Sequence, residues 1–171
     1  MEATPQRTPL YDAHVRSGGR MVIFAGYEMP VQYTSIIADS QAVRTGAGIF
    51  DVSHMARFEF VGDEVIAFIE QITTNDVSKL EDGQGQYSLL PNPIGGAVDD
   101  IIVYRISATE IRMVVNAANH QKDWAWIESN LPAGITMTDH TAETAMIAVQ
   151  GPKAADLVAS LSTTPGQVHG C

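Results

Sequence analysis

Cysteine is all but missing: the one thiol, Cys171, is the last of 171 residues, so no internal disulfide can staple the fold and a reducing compartment is expected. A lone thiol at a chain end also gives poor footing for nucleophilic catalysis, which needs a thiolate held in place. Basic residues are scarce and dispersed, 10 Lys and Arg against 20 Asp and Glu. The net charge of −10 argues against a nonspecific grip on nucleic acid or anionic membrane, which depends on clustered cations. No apolar run is long enough to cross a bilayer, and residues 1–5 lack the basic and apolar regions of a secretion signal, so a cytoplasmic location is expected. Dinucleotide fingerprints and Gly-x-Ser-x-Gly elbows are absent too, and His14, His54, His120, His140 and His169 show no metal-ligand spacing. These gaps argue against nucleotide enzymes, serine hydrolases and metalloenzymes.

What is present describes a globular chain, 45% hydrophobic and 18% charged, long enough for one domain or two small subdomains. Thr8-Pro9 opens a helix that Gly18-Gly19 stops, residues 21–24 read as a strand, and Ser35 and Gly46 bracket a helix over 36–44. Polar and apolar residues alternate over 56–61, as in a half-buried strand. Asp63 is placed to cap a helix with the apolar stripe Val65, Ile66, Phe68, Ile69 and Ile72. Residues 86–90 and 97–106 form an antiparallel pair across the turn 91–96, with a third strand at 111–116. Asn119 then caps a helix through Asn130 with Trp124 and Ile127 inward; strands at 135–138 and 145–149 follow, then a helix from Gly151-Pro152 to about Leu161 and a terminal loop. Locally paired strands with interspersed helices predict an α+β fold of predominantly antiparallel sheets with packed helices, and not a doubly wound parallel sheet.

The chemistry points to Gly95-Gly96-Ala97-Val98-Asp99-Asp100-Ile101-Ile102-Val103-Tyr104-Arg105, where two carboxylates enter a strand. Alternation puts Val98, Asp100, Ile102, Tyr104 and Ile106 on one face and Asp99, Ile101, Val103 and Arg105 on the other. Asp100 is the only charge among apolar neighbours, whereas Asp99 shares its face with Arg105 beside a wet turn. A buried unpaired carboxylate is costly, so such a group is paired, protonated or turned to a polar ligand. The plainer reading is a Gly-Gly turn followed by two solvated acids. His54 reads as a structural histidine, and the Met55 thioether as core or as a cushion for a flat heteroaromatic ring. Tyr87 and Asn116 flank the Asp100 strand, and an aromatic, an amide and a carboxylate around an apolar cavity describe a site for a polar heterocycle.

Thr8-Pro9-Leu10-Tyr11, Phe24-Ala25-Gly26-Tyr27-Glu28-Met29-Pro30, Val43-Arg44-Thr45-Gly46, Phe50-Asp51-Val52-Ser53-His54-Met55 and Thr74-Asn75-Asp76-Val77 occur in this order, followed by Gly95-Gly96-Ala97-Val98-Asp99-Asp100, Val114-Val115-Asn116-Ala117-Ala118-Asn119 and Val149-Gln150-Gly151-Pro152. The set closely resembles the aminomethyltransferase, or T-protein, family of the glycine cleavage system, over nearly everything from Thr8 to about Leu161; Tyr27 stands where a tryptophan is usual. The resemblance implies transfer of a methylene carbon from an aminomethyl group on the lipoyl arm of H-protein to tetrahydrofolate as co-substrate, with release of ammonia. It also implies a folate-binding first domain in residues 1–51, an inserted second domain in 52–137 and the first domain's continuation in 138–171, within a three-domain family built around a folate channel. The second acid of the Gly-Gly-x-x-Asp-Asp motif, Asp100, corresponds to the catalytic carboxylate, and Met55, Tyr87, Ile102, Tyr104, Val114 and Asn116 to residues lining the folate cavity. Family members are longer, so the chain is expected to be the N-terminal part of a T-protein, with further folate contacts supplied beyond it. Folate-dependent demethylases, folate-linked oxidases and a non-enzymatic folate binder of iron–sulfur assembly share the architecture and are the alternatives, with an inactive fragment that keeps folate binding without transfer as a third; Asp99-Asp100 and the 50–55 block favour an enzyme over the non-enzymatic binder.

Overall fold

The computed structural model describes residues 4–163. In chain order the elements are β1 (Gln6–Arg7), α1 (Tyr11–Arg16), β2 (Arg20–Phe24), β3 (Tyr27–Gln32), α2 (Ile36–Thr45), β4 (Gly48–Asp51), β5 (Ala56–Val61) and α3 (Val65–Ile72). There follow β6 (Gly85–Pro91), β7 (Ala97–Ser107), β8 (Glu110–Val115), α4 (His120–Glu128), β9 (Thr136–Asp139), β10 (Ile147–Gln150) and α5 (Ala154–Leu161), with short 3-10 turns at Val77–Lys79 and Ala117–Asn119. All strand pairings but one are antiparallel, and the fold is α+β. Two compact units result: one holds the stretches up to His54 and from Ala145 onward, the other is Met55–Thr144. Both divisions fall C-terminal to the ends of the expected 52–137 segment, since β9 still belongs to the second unit's sheet.

In the first unit, β3 lies between β1 and β2, and β4 pairs with β10. The β2–β3 hairpin turns through Ala25 and Gly26, at φ 49° and 83°, the left-handed pair that a tight two-residue turn requires. Pro30 hid β3 from the sequence pattern. It is accommodated beside a register irregularity at Arg20 and Met21, where the ladder can do without a donor. Ser35 caps α2 as expected, its hydroxyl accepting from the Ala38 N–H at 3.1 Å. The expected terminal loop lies, from residue 164 on, outside the described residues.

The second unit is a five-stranded sheet in the order β6-β7-β8-β5-β9. One face is a core of Phe58, Phe60, Leu90, Ile101, Val103 and Met113, closed by Val65 and Ile69 of α3 and Ile127 of α4. The α3 stripe is buried at Val65, Phe68, Ile69 and Ile72, but Asp63 does not cap the helix: it is exposed, and the first turn closes on the Gly62 carbonyl instead. Asn119 holds the cap position of α4 without a capping bond, because its amide is engaged elsewhere. Arg57 of β5 ties the two ends of the unit together, its guanidinium donating to the carbonyls of Met55, Thr141 and Thr144 at 2.6, 2.7 and 2.8 Å. The burial predicts that Ile69→Ala costs about 2–5 kcal/mol in urea unfolding, while loss of the cap in Ser35→Ala costs about 1 kcal/mol.

Candidate functional site

From Asp99 to Tyr104 β7 divides its residues between two faces as alternation requires, but Val98, expected with Asp100, packs against the core beside the register irregularity at Leu90 and Pro91, and the surroundings of the two acids are the reverse of those expected. Asp99 shares the helix-covered face with Ile101 and Val103 and is only 6% exposed, whereas Asp100 lies on the open face and is exposed. Nor does Arg105 serve Asp99. Its guanidinium donates to Asp82 at 2.8 Å and to the Leu80 carbonyl at 3.0 Å, because the chain before β6 folds back against it.

Asp99 is satisfied from the β8–α4 junction. β8 pairs Val115 with Ile101, so the next residue, Asn116, emerges beside both acids. Its backbone N–H donates to Asp99 Oδ2 at 3.1 Å and its Nδ2 to Asp99 Oδ1 at 3.0 Å. The same Nδ2 lies 3.0 Å from the Asp100 carbonyl and 3.1 Å from Asp100 Oδ1, so one carboxamide bridges the pair. Asn119 Nδ2 adds the shortest bond to Asp99, 2.6 Å. One helical turn on from Asn119, Asp123 is wholly buried, and neither of its oxygens accepts a hydrogen bond among the described residues. Burial, reinforced by the neighbouring Asp99 carboxylate, pushes the Asp123 carboxyl up to about 8. Burial works against the Asp99 anion as well, but bonds from Asp123, Asn116 and Asn119 outweigh it and hold Asp99 below the ordinary carboxylate value.

On the face opposite the core, Tyr87, Ile102 and Val114 form one cross-strand row over β6, β7 and β8 that runs from exposed Tyr87 through half-buried Ile102 to buried Val114, and Leu89 stands opposite Asp100. Tyr104 stands opposite Gly85, and its ring lies where a side chain at Gly85 would be, which only glycine permits. Partial desolvation and the Asp100 carboxylate raise the Tyr87 phenol above its usual value. Met55 is half-buried just ahead of β5. The structure thus gathers Tyr87, Asp100, Ile102, Tyr104 and Val114 on one face with Asn116 at its edge, and sets Met55 before the strand that pairs with β8. Such a face can accept hydrogen bonds from ring N–H groups at Asp100 and pack a flat ring on its apolar row.

Sequence reasoning missed Asn119 as a ligand of Asp99, and Asp123 altogether. The available signal was the four-residue spacing that stacks Asn119, Asp123 and Ile127 on one side of α4. The first unit has its own polar cluster, in which buried Asp51 accepts from Thr8 at 2.6 Å and contacts His14 Nε2 at 2.9 Å. A cleft of about 730 Å³ in that unit, lined by Met29, Tyr33, Val43 and Phe50, includes none of the residues named above for the open face.

Two similar proteins share a description. An aminomethyltransferase from Deinococcus deserti is 50% identical over 158 residues, covering 92% of this chain and 44% of that protein. One from Thermus thermophilus is 51% identical over 159 residues, covering 92% and 45%. The crystal structure of glycine cleavage system aminomethyltransferase T from Bartonella henselae superposes with a TM-score of 0.84 at 32% identity, covering 91% of this chain and 43% of that one. Fold and sequence together place the chain with the aminomethyltransferases. The profile of the GCVT N-terminal domain matches residues 10–167, and the chain belongs to that family of glycine cleavage T-proteins. It spans less than half the length of the relatives it matches.

The acid pair sets a pH dependence of stability. Asp123 is protonated in the folded state up to about 8 but ionises in the ordinary carboxylate range once unfolded. Between those values the folded state binds the extra proton, so its contribution is greatest at low pH and declines by up to about 1.4 kcal/mol per pH unit toward the upper limit. Urea unfolding at a series of pH values should show this fall in the native chain and its disappearance in Asp123→Asn.

Proposed function

We propose that the chain is the part of a tetrahydrofolate-dependent aminomethyltransferase that carries the reacting-site carboxylate, Asp100. The observation that supports this most is the position of Asp100: exposed, at the head of an apolar face, and oriented by Asn116. The donor of the one-carbon unit is an aminomethyl group on the lipoyl arm of H-protein, and the acceptor is N5 of tetrahydrofolate.

In this reading Asp100 accepts a hydrogen bond from the pterin, and the row of Tyr87, Ile102 and Val114 seats the flat ring system, with Tyr104 and Met55 bordering it. N5 takes the carbon as ammonia leaves, the carbon–sulfur bond then breaks to return the lipoyl arm as its thiol, and positive charge develops on the iminium carbon, CH2=N5+, before N10 closes on it. A fixed anion about 4 Å from that carbon stabilises it by about 4 kcal/mol at an effective dielectric of about 20, enough for a rate factor of about a thousand. Asp100 makes no covalent bond; it acts by orientation and by charge set in place before reaction. The bridging Asn116 amide holds it there, so no reorganisation is needed as charge develops.

Calorimetric titration of tetrahydrofolate into the 171-residue chain and its Asp100→Asn variant tests the reading. Saturable binding that the variant weakens by at least about tenfold is expected; equal binding by both removes Asp100 from the site, and no binding by either removes the folate reading from this chain. With lipoylated H-protein as donor, Asp100→Asn should lower ammonia release by about 10²–10³ in kcat at unchanged stability.

A further inference from the structure

We propose that Asp123 is a positioning residue: its carboxyl carries a proton that it donates to Asp99, completing the clamp through which Asn116 orients Asp100. The catalytic consequence rests on the reading of Asp100 given above; the clamp itself does not.

The geometry leaves little alternative. Asp123 has no exposure, and no N–H or O–H among the described residues reaches either of its oxygens. A buried carboxylate without a donor is not sustained, so the group is neutral and becomes a donor itself. Its neighbour Asp99 already accepts three N–H bonds, from the backbone and side chain of Asn116 and from Asn119, and so is the anion of the pair. Two charged groups act on Asp123: Asp99 from β7 and, on its own helix, Lys122. Lys122 does not pair with it: Nζ reaches neither of its oxygens and donates to the Val98 carbonyl instead.

Because Asn116 Nδ2 is shared between Asp99 and Asp100, the charge and position of Asp99 bear on Asp100. Ionisation of Asp123 would remove a donor from Asp99 and place a second anion beside it. The two carboxylates would then move apart, and the Asn116 amide would no longer hold Asp100 where the ligand meets it. An amide at position 123 keeps a donor toward Asp99 at every pH, whereas leucine has none.

Carbon-13 NMR of the chain labelled at aspartate carboxyls, followed from neutral into alkaline pH, tests this directly. One aspartate carboxyl should titrate with a midpoint near 8 and be missing from Asp123→Asn, and the Asn116 side-chain amide should shift with the same midpoint. No such titration, its persistence in Asp123→Asn, or an Asn116 amide that does not follow it would each overturn the proposal. Tetrahydrofolate affinity of the native chain should fall by up to about tenfold per pH unit above that midpoint and stay level in Asp123→Asn. In Asp123→Leu it should be weak throughout. If the carboxyl and amide titrate together but tetrahydrofolate binds at no pH, the clamp stands and the folate reading falls.

Discussion

The carboxylate of Asp99 is where the second unit is fastened together. It sits inside the sheet face, yet its donors come from the end of β8 and the entrance to α4, so one side chain joins a strand, its neighbour's exit and a helix. Hydrogen bonds to a charged group contribute about 1.5–3 kcal/mol each. Removing the amides that make them leaves a buried anion unsatisfied, which is worse than never having had it. The strand's period of two then does the rest: once Asp99 is anchored inward, Asp100 must face outward. The outward orientation of one acid is thus a consequence of the structural duty of the other.

Much of the architecture could be read from residue order. The alternation over 56–61, the stripe from Val65 to Ile72 and the Ser35–Gly46 bracket all correspond to observed elements, because each is a local pattern that tertiary packing reinforces. Alternation also separated Asp99 from Asp100 correctly, but it reports which residues share a face and not which face is covered. Coverage is decided by α3 and α4, whose docking is a long-range matter. The same limit explains Arg105, whose partners come from the loop ahead of β6. β3 went unseen because Pro30 argues against a strand unless the partner's irregularity is known. Asp123 went unseen because an acid in a helix is ordinarily solvated, and only the four-residue step from Asn119 and on to Ile127 marked its side as inward.

The two units solve a similar problem with different chemistry. In the first, Asp51 at the end of β4 is buried and accepts from Thr8 and Ser53, with His14 beside it, so strand and chain start are linked through a charge. Burial opposes that anion, but its hydrogen-bond partners outweigh it and keep its acidity below the ordinary range. In the second, carboxamides take the place of the histidine and hydroxyl, and a second acid contributes the proton. Amide donors do not titrate, so the pH sensitivity of the Asp99 hub is concentrated in Asp123.

Arg57 has a bearing on how such a chain can come to exist. By reaching the carbonyls of Met55, Thr141 and Thr144, it draws the first and last residues of the second unit to one point. A module whose two ends meet interrupts its host at a single place and adds little to the closure entropy of the loop that receives it. A segment that leaves and returns at one point can vary in sequence and length without displacing its flanks, and the guanidinium is the knot that holds those two ends together.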